Sequence, residues 1–262
     1  MASNKLPVND ITNSIKSLPH MALSGSKYIF LVLYVDDILL ASSDTCLLQE
    51  IKRFFMNNFE MKDLKEASFV LGIQIPRDHS QGILRLSQEN YISKVLDRFS
   101  IKDSKPGDTP IVKGDKFSLK QCLNNDFERN EMQNISYVLT MRSLMYTQVC
   151  TRPNIAFVVG VLDRYLSDPV MQHWKAVKLV MCYLKRTKGY MLTYRKSKGL
   201  ETIGYSDFDF VGCQDSKRST SGYIYILTGG AISLNFVKQT LIAPSTMTTK
   251  FVACFEASNH GL

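Results

Sequence analysis

The sequence lacks the closely spaced cysteines and histidines that structural zinc sites need. Its six cysteines lie far apart along 262 residues, and no two form a Cys-x-x-Cys pair. Its four histidines are equally dispersed. We therefore expect reduced cysteines in the core and no structural zinc site.

The sequence also lacks an apolar run long enough to span a bilayer. The most apolar run, residues 28–41, is too short for a membrane helix and carries two adjacent aspartates at its middle. The first residues, Met-Ala-Ser-Asn-Lys-Leu-Pro, have neither the basic start nor the apolar stretch of a signal peptide. We predict an intracellular protein, in the cytoplasm or the nucleus, without membrane contact.

The composition is that of a folded protein with a basic surface. Hydrophobic residues make up 45% and charged residues 21%, with only 8 prolines and 14 glycines. The formal net charge is +8, which suits a polyanionic partner such as nucleic acid. A basic surface that only keeps the protein soluble is an equal alternative, because the lysines and arginines form no dense run.

Apolar periodicity divides the chain into strands and helices. Two β-rich runs, Ile29–Tyr34 and Ile38–Ala41, predict a tight hairpin, and Ser43 or Asp44 can cap a helix after it. The remaining predicted elements are a hairpin of strands 69–75 and 82–86, helices after Ser87 and at 137–150, 153–166 and 169–187, strands 202–210, 221–227 and 231–236 with Gly229-Gly230 as the last turn, and a helix from about Ser245. Residues 1–23 and 103–131 show no such period, which predicts a polar leader and a linker.

Two adjacent acids at the first predicted hairpin turn form the first candidate site. Asp36 and Asp37 repel each other at close range unless a cation or the solvent compensates for their charge. Nucleotidyl transfer uses two divalent ions, and Mg²⁺ prefers carboxylate and phosphate oxygens. The tetrapeptide Tyr-Val-Asp-Asp would suit that chemistry, although an ordinary exposed turn explains a four-residue match equally well.

The stretch around this pair resembles the palm hairpin of plant Copia-type reverse transcriptases. It reads Leu-Val-Leu-Tyr-Val-Asp-Asp-Ile-Leu-Leu-Ala-Ser-Ser-Asp at residues 31–44. Further stretches resemble the same family in order, at residues 59–64, 69–73, 86–88, 91–99, 143–146, 151–156, 173–176, 183–189, 205–207, 216–223 and 238–239. So many ordered similarities, from about residue 24 to the end of the sequence, are far more specific than any one motif.

The resemblance assigns roles to the paired acids and shows what this sequence does not contain. Asp36 and Asp37 correspond to the family's paired metal-binding acids. The third polymerase carboxylate lies on an earlier strand in the family, and the segment around Asp10 matches nothing at that motif. The fingers subdomain, which binds the incoming nucleotide in the family, has no counterpart here either. We therefore expect no DNA synthesis.

The C-terminal stretch resembles a Copia-type RNase H domain. Asp207 corresponds to its first catalytic carboxylate. Where the family has Ser-Thr-x-x-x-Glu, this sequence reads Ser-Thr-Met-Thr-Thr-Lys, so Lys250 replaces the second carboxylate and would repel Mg²⁺. A later aspartate of the family would lie beyond Leu262. Glu256 is about two helical turns too far along to substitute, and Asp209 is interpreted as a surface acid.

Two smaller departures from the family pattern predict strain and lost packing. Lys65 stands where the family usually has glycine, and Leu234 stands where it has tryptophan. A lysine is unfavourable if its backbone needs a positive φ, and a leucine fills less core volume than a tryptophan. Both departures are consistent with relaxed selection.

These inferences combine into one expectation for the fold. We expect an α+β chain with a polar leader at residues 1–23 and a partial reverse transcriptase palm, thumb-like region and linker at 24–135. Connecting helices at 136–190 and an incomplete RNase H-like mixed sheet with a helix at 191–262 would follow. The expected identity is a truncated, degenerate piece of a Copia-type Pol polyprotein, ancestrally an RNA-directed DNA polymerase with RNase H and now inactive.

The expected ligands and partners follow from the same resemblance. Ancestral partners would be RNA, DNA or an RNA–DNA hybrid, with Mg²⁺ or Mn²⁺ bound by Asp36, Asp37 and Asp207 and no longer retained. Open sheet edges predict self-association. The alternatives are non-catalytic nucleic-acid binding, a host interaction protein that uses the leader, and a genomic relic with no selected role.

Overall fold

The chain divides into two compact units, Met1–Ala67 and Ser68–Leu262. The computed structural model describes residues 29–34, 37–59, 61–101, 103–110, 130, 132–197, 199, 201–213 and 215–260. The predicted leader at 1–23 therefore lies outside the described residues, as does most of the predicted linker. The boundaries expected from the family resemblance do not coincide with the division into units, and they stay predictions.

The first unit contains a β-hairpin followed by a helix. Strands β1 (Ile29–Tyr34) and β2 (Asp37–Ser42) pair antiparallel, and only two residues separate them. Helix α1 (Thr45–Phe59) follows directly. The predicted hairpin and helix are confirmed.

Helix α1 begins where a side chain satisfies its first backbone N–H groups. The Asp44 carboxylate accepts hydrogen bonds from the N–H of Cys46 at 2.8 Å and of Leu47 at 3.0 Å. The helix then packs on alternate residues of the hairpin, and its buried side chains are Leu47, Ile51 and Phe55. Capping and the apolar stripe together explain why this segment is helical.

The structure replaces the predicted strand 69–75 with two short strands, β3 (Phe69–Val70) and β4 (Ile73–Gln74). Leu71 and Gly72, between them, have φ angles of 51° and 79°. A two-residue hairpin turn of this kind needs positive φ at both central residues. The prediction of one continuous strand was wrong because the apolar run conceals this turn.

A second small sheet joins distant parts of the chain. Its strands are β5 (Arg77–Asp78), β6 (Ile83–Leu86) and β7 (Leu192–Arg195), antiparallel in the order β5-β6-β7. Strand β7 was not predicted. The run Leu-Thr-Tyr-Arg is too short to show a period, and its partner strand lies far away in the sequence.

Helices between β6 and β7 form the main apolar core. They are α2 (Glu89–Arg98), α3 (Tyr137–Cys150), α4 (Ala156–Leu162) and α5 (Met171–Thr187), with 3₁₀ turns at Pro153–Ile155 and Asp163–Tyr165 on either side of α4. Fully buried side chains of this core include Met141, Leu144, Leu162, Val177 and Leu184. The predicted helices at 137–150, 153–166 and 169–187 are confirmed.

The C-terminal part contains an antiparallel sheet and a helix. The strands are β8 (Thr202–Cys213), β9 (Arg218–Leu227) and β10 (Gly230–Lys238), in the order β10-β9-β8, and helix α6 (Thr246–His260) follows. These four predicted elements are confirmed. The turn between β9 and β10 has positive φ at Thr228 (49°) and Gly229 (86°), one residue earlier than predicted.

Different helices cover the two faces of this C-terminal sheet. On one face, the Tyr223 ring of β9 stacks on His260 of α6, with ring centres 5.3 Å apart. On the other face, Phe236 of β10 packs edge-on against Phe157 of α4 at 4.9 Å. The fold class is α+β, as predicted. The described strands of the C-terminal sheet all pair antiparallel and not as the mixed sheet that was predicted, and the finer arrangement as palm and RNase H stays a prediction. Every helix in the described part of the chain is too short or too polar to cross a membrane.

The two departures from the family pattern lie at structurally demanding positions. Lys65 has a φ of 67°, a left-handed conformation that glycine adopts without steric penalty. Leu234 lines a cavity of about 130 Å³ together with Val149, Pro153 and Leu192. The lysine is therefore held in an unfavourable backbone conformation, and the leucine leaves unfilled space beside it.

Candidate functional site

The predicted polymerase pair falls partly within the described residues. Asp37 begins β2 opposite Tyr34, and its side chain is exposed. Asp36 lies outside the described residues. The hairpin therefore presents the Asp37 carboxylate to solvent beside its turn.

The predicted RNase H acid lies on the sheet face that helix α6 does not cover. The Ser206 hydroxyl of β8 contacts the Cys254 thiol of α6 at 3.6 Å, so Ser206 is on the helix-covered face. Side chains alternate along a strand, which puts Asp207 on the opposite face. Its strand partner Gly222 agrees with this, because a Cβ there would lie 3.2 Å from the Phe236 ring.

Lys250 lies on α6, beside the helix face that contacts the sheet. Its neighbour Thr249 is fully buried, with its hydroxyl 3.0 Å from the Ser219 hydroxyl of β9. The Lys250 side chain is exposed. Asp207 and Lys250 therefore lie on opposite sides of the sheet, and the structure does not bring them together.

The other acids of this region do not complete a metal site. Asp209 shares the face of Asp207 by strand alternation, whereas Glu256 lies on α6. In the part of the chain that the structure describes, no three His, Cys, Asp or Glu side chains group closely enough to hold a metal ion. Among the described residues, Asp207, Asp209 and Glu256 therefore form no group of three possible metal ligands.

A buried polar network, which the sequence reasoning missed, holds α6 against the sheet. The Gln239 amide donates to the Ser221 hydroxyl at 2.8 Å and to the Thr249 carbonyl at 3.0 Å. The Ser219–Thr249 contact completes it. Ser219, Ser221 and Gln239 lie in stretches 216–223 and 238–239, whose resemblance to the family was the available signal, and Thr249 lies in the Ser-Thr-x-x-x motif at the start of α6. The network fixes the rotation of α6 and so decides which of its side chains face solvent.

Arg152 is a buried cation with a structural role. Arg152 is 2% exposed, and its guanidinium donates to the backbone carbonyls of Thr187 and Lys188, each at 3.0 Å. These carbonyls lie at the C-terminal end of α5, where the helix dipole is negative. Burial lowers the pKa of Arg152, but an arginine stays protonated in proteins. Arg152, in the stretch Thr151-Arg152-Pro153 that resembles the family, thus holds the C-terminal end of α5 in place.

Comparison with known proteins agrees with the motifs and the hairpin. The family model described as "Reverse transcriptase (RNA-dependent DNA polymerase)" matches residues 13–113. A retrovirus-related Pol polyprotein from a Nicotiana tabacum transposon, TNT 1-94, is 40% identical over 237 residues, covering 90% of this chain and 18% of that protein. An uncharacterized mitochondrial protein of Arabidopsis thaliana is 30% identical over 225 residues, covering 86% of this chain and 90% of its own length. The chain belongs to the Copia-type reverse transcriptase family of retrotransposon Pol polyproteins.

Other relatives of this Pol fragment are named differently. A protein of Plasmopara viticola, named secreted RxLR effector protein 161, is 39% identical over 131 residues, which cover 50% of this chain and 92% of that protein. None of the solved structures matches the chain significantly. The chain spans about a fifth of the length of the Pol polyprotein from tobacco, of which it covers 18%.

Membership of the reverse transcriptase family has two general consequences. Members of this family ancestrally use a divalent metal ion and act on nucleic acid. The described acids of this chain, however, are not arranged around a common point.

Proposed function

We propose that this chain is a non-catalytic member of the reverse transcriptase family that retains binding to RNA, DNA or an RNA–DNA hybrid. Asp36, Asp37 and Asp207 are then remnants of ancestral Mg²⁺ or Mn²⁺ sites. Residues 24–135 would derive from palm, thumb and linker, 136–190 from connecting helices, and 191–262 from RNase H.

The placement of Asp207 and Lys250 carries the proposal. Hydrolysis assisted by two metal ions needs several carboxylates that converge on the scissile phosphate. Here the acid on β8 points away from α6, and the residue on α6 that corresponds to the family's glutamate is a cation. A positive charge at that position repels a divalent ion, whereas a carboxylate would attract it.

The net charge supports the binding part of the proposal. A chain with a net charge of +8 attracts phosphate backbones without any catalytic site. Such binding is governed mainly by the release of counterions, so it is sensitive to salt and tolerant of sequence.

Catalysis is tested by supplying both substrates of the ancestral reactions. With Mg²⁺ or Mn²⁺, we expect no extension of a primed RNA template above an Asp36→Ala/Asp37→Ala control. We also expect an RNA–DNA hybrid to stay intact, and Lys250→Glu alone not to restore cleavage because Asp207 faces the other side of the sheet. Metal-dependent activity that disappears in these aspartate variants would overturn the proposal.

Binding is tested by the salt dependence of affinity for a labelled RNA–DNA hybrid. We expect the logarithm of the affinity to fall linearly with the logarithm of salt concentration, with a slope of roughly 0.7 to 0.9 for each phosphate contacted. Affinity that does not respond to salt would contradict a backbone-directed mode.

An interaction protein is the second candidate, and the outer face of α6 favours it. Met247, Phe251 and Phe255 recur every four residues and are 75%, 71% and 57% exposed. A second copy of the chain could cover this face together with the free edge of β8. Sedimentation velocity of the wild type and Phe251→Glu tests this, because a dimer that persists in the variant would exclude self-association through α6.

A further inference from the structure

A shallow groove with two arginines contains none of the candidate acids. It has a volume of about 460 Å³ and is lined by Ile83, Arg85, Thr193, Arg195, Thr228 and Gly229. Strands β6 and β7 form its floor, and the turn between β9 and β10 forms its wall. All of these elements belong to the unit Ser68–Leu262.

Strand register places the two guanidinium groups on one face. Arg85 pairs with Thr193, and Ile83 pairs with Arg195. Paired residues of adjacent strands point to the same face, so Arg85 and Arg195 are diagonal neighbours, with Cβ atoms on the order of 7 Å apart. Two long side chains at that separation can reach the same phosphate group, with the Thr193 hydroxyl between them.

The wall is held against the floor by the backbone. The Arg195 N–H donates to the Thr228 carbonyl at 3.3 Å. Thr228 and Gly229 both have positive φ, and a Cβ added at Gly229 would meet no atom within 4 Å. The turn therefore leaves open space in front of the arginines.

The groove keeps a net positive charge. The groove lining contains no Asp or Glu. Asp78 shares the sheet face through its pairing with Ile83 and attracts Arg85, but its single negative charge offsets only one of the two guanidinium charges. Two like charges held together on one sheet face repel each other, and an anion bound between them would relieve that repulsion.

We propose that Arg85 and Arg195, with the Thr193 hydroxyl, form a binding site for a phosphate group. A nucleic-acid backbone or a free nucleotide could carry that phosphate. Where the carrier is a nucleic-acid strand, the inference rests on the proposed nucleic-acid binding and gives it a location. Arginine suits this role because its planar fork donates two parallel hydrogen bonds to phosphate oxygens.

The test compares two variants of equal charge. The groove variant, Arg85→Gln/Arg195→Gln, removes the two positive charges of the groove. The control variant, Arg98→Gln/Arg142→Gln, removes two exposed arginines from helices α2 and α3. Circular dichroism checks that both variants are folded. The probes are inorganic phosphate, followed through the arginine side-chain N–H signals in NMR, and a labelled twelve-nucleotide single-stranded DNA.

Phosphate should shift the Arg85 and Arg195 N–H signals in the wild type and leave the Arg98 and Arg142 signals unchanged. If a nucleic-acid strand is the carrier, the groove variant should bind the oligonucleotide about tenfold more weakly, with a salt slope lower by roughly 1.4, and the control should change less than twofold. Phosphate shifts with equal oligonucleotide affinity in both variants would instead assign the site to a free nucleotide.

The proposal is overturned if phosphate leaves the Arg85 and Arg195 signals unmoved and both variants bind the oligonucleotide equally. Failure of the proposed nucleic-acid binding gives a different result. In that case the wild type would not bind the oligonucleotide, while phosphate would still shift the groove arginines.

Discussion

The helical core and the C-terminal sheet with α6 bury their apolar side chains to different extents. In the helical core, Leu144 and Met181 are fully buried between helices. On α6, Ala253 is 2% exposed against the sheet, but Phe251 on the outer side of the same helix is 71% exposed. Helix α6 therefore buries only the side that faces the sheet.

The two regions of the second unit therefore differ in role: the helical core contributes stability, and the outer face of α6 is open to interaction. Because the helical core is tightly packed, removing buried atoms from it lowers the free energy of unfolding. The outer face of α6 contributes little to that free energy and is instead available to another molecule. Substitutions matched by residue type in the two regions should therefore have very different effects.

The most destabilising substitution should be Leu144→Ala in α3. We expect a loss of about 3 to 4 kcal/mol, because a fully buried leucine loses its contacts and leaves a cavity. Leu139→Ala is the matched control on the same helix, at a residue that is 52% exposed, and should lose less than about 1 kcal/mol. Urea unfolding measures both, and similar losses would contradict the burial described for α3.

Acid should destabilise the helical core through His173. Burial lowers the pKa of His173 to about 4, and its Nδ1 accepts a hydrogen bond from the Val170 N–H at 3.1 Å. The unfolded chain, with a pKa near 6.5, binds a proton that the folded chain excludes. Stability from this group is therefore complete above about pH 6.5 and is lost as pH falls towards 4, by up to about 3 kcal/mol.

Urea unfolding at pH 7.5 and at pH 4.5 measures this loss. His173→Asn should lose clearly less stability between the two pH values than the wild type does. His79→Asn, at an exposed histidine, should lose as much as the wild type. Equal pH dependence in all three proteins would show that His173 does not contribute.

The sheet region should gain stability from Leu234→Trp. The larger side chain can fill part of the cavity of about 130 Å³ beside Leu234. We expect a gain of about 1 kcal/mol, in line with the usual dependence on cavity volume. Leu241→Trp, at a residue that is 69% exposed and outside the cavity lining, is the control and should not stabilise.

The smallest effect is expected on the outer face of α6. Phe251→Ser should change the free energy of unfolding by no more than about 0.5 kcal/mol, because the ring is largely in water already. Ala253→Ser also introduces a hydroxyl, but on the buried side of the same helix, and should therefore lower the free energy of unfolding more. The reverse order in thermal or urea unfolding would mean that α6 is rotated from the position described.

The sequence predicted most helices and the C-terminal sheet because their periodicity is local. Residues 137–150, for example, are helical over exactly the range that the apolar spacing indicated. The resemblance predicted strain at Lys65 on the condition that its backbone has a positive φ, and the φ of 67° meets that condition. The sequence therefore predicted features that depend on residues close together along the chain.

Features that depend on distant pairing could not be predicted. Strand β7 is defined by its partner β6, and the turn at Leu71-Gly72 lies inside a run that is apolar throughout. The orientation of Asp207 depends on which sheet face α6 covers, which a single strand does not specify. The candidate acids were thus found from motifs, whereas the sheet face on which Asp207 lies became visible only in three dimensions.

The most direct test of this account is a titration of the chain with Mn²⁺, followed by paramagnetic broadening of backbone NMR signals. Because Asp207 belongs to no group of three possible metal ligands among the described residues, we expect its signal and those of its neighbours to broaden no more than that of the exposed Asp97. Selective broadening at Asp207 and at residues of α6, at Mn²⁺ concentrations near that of the protein, would contradict the account.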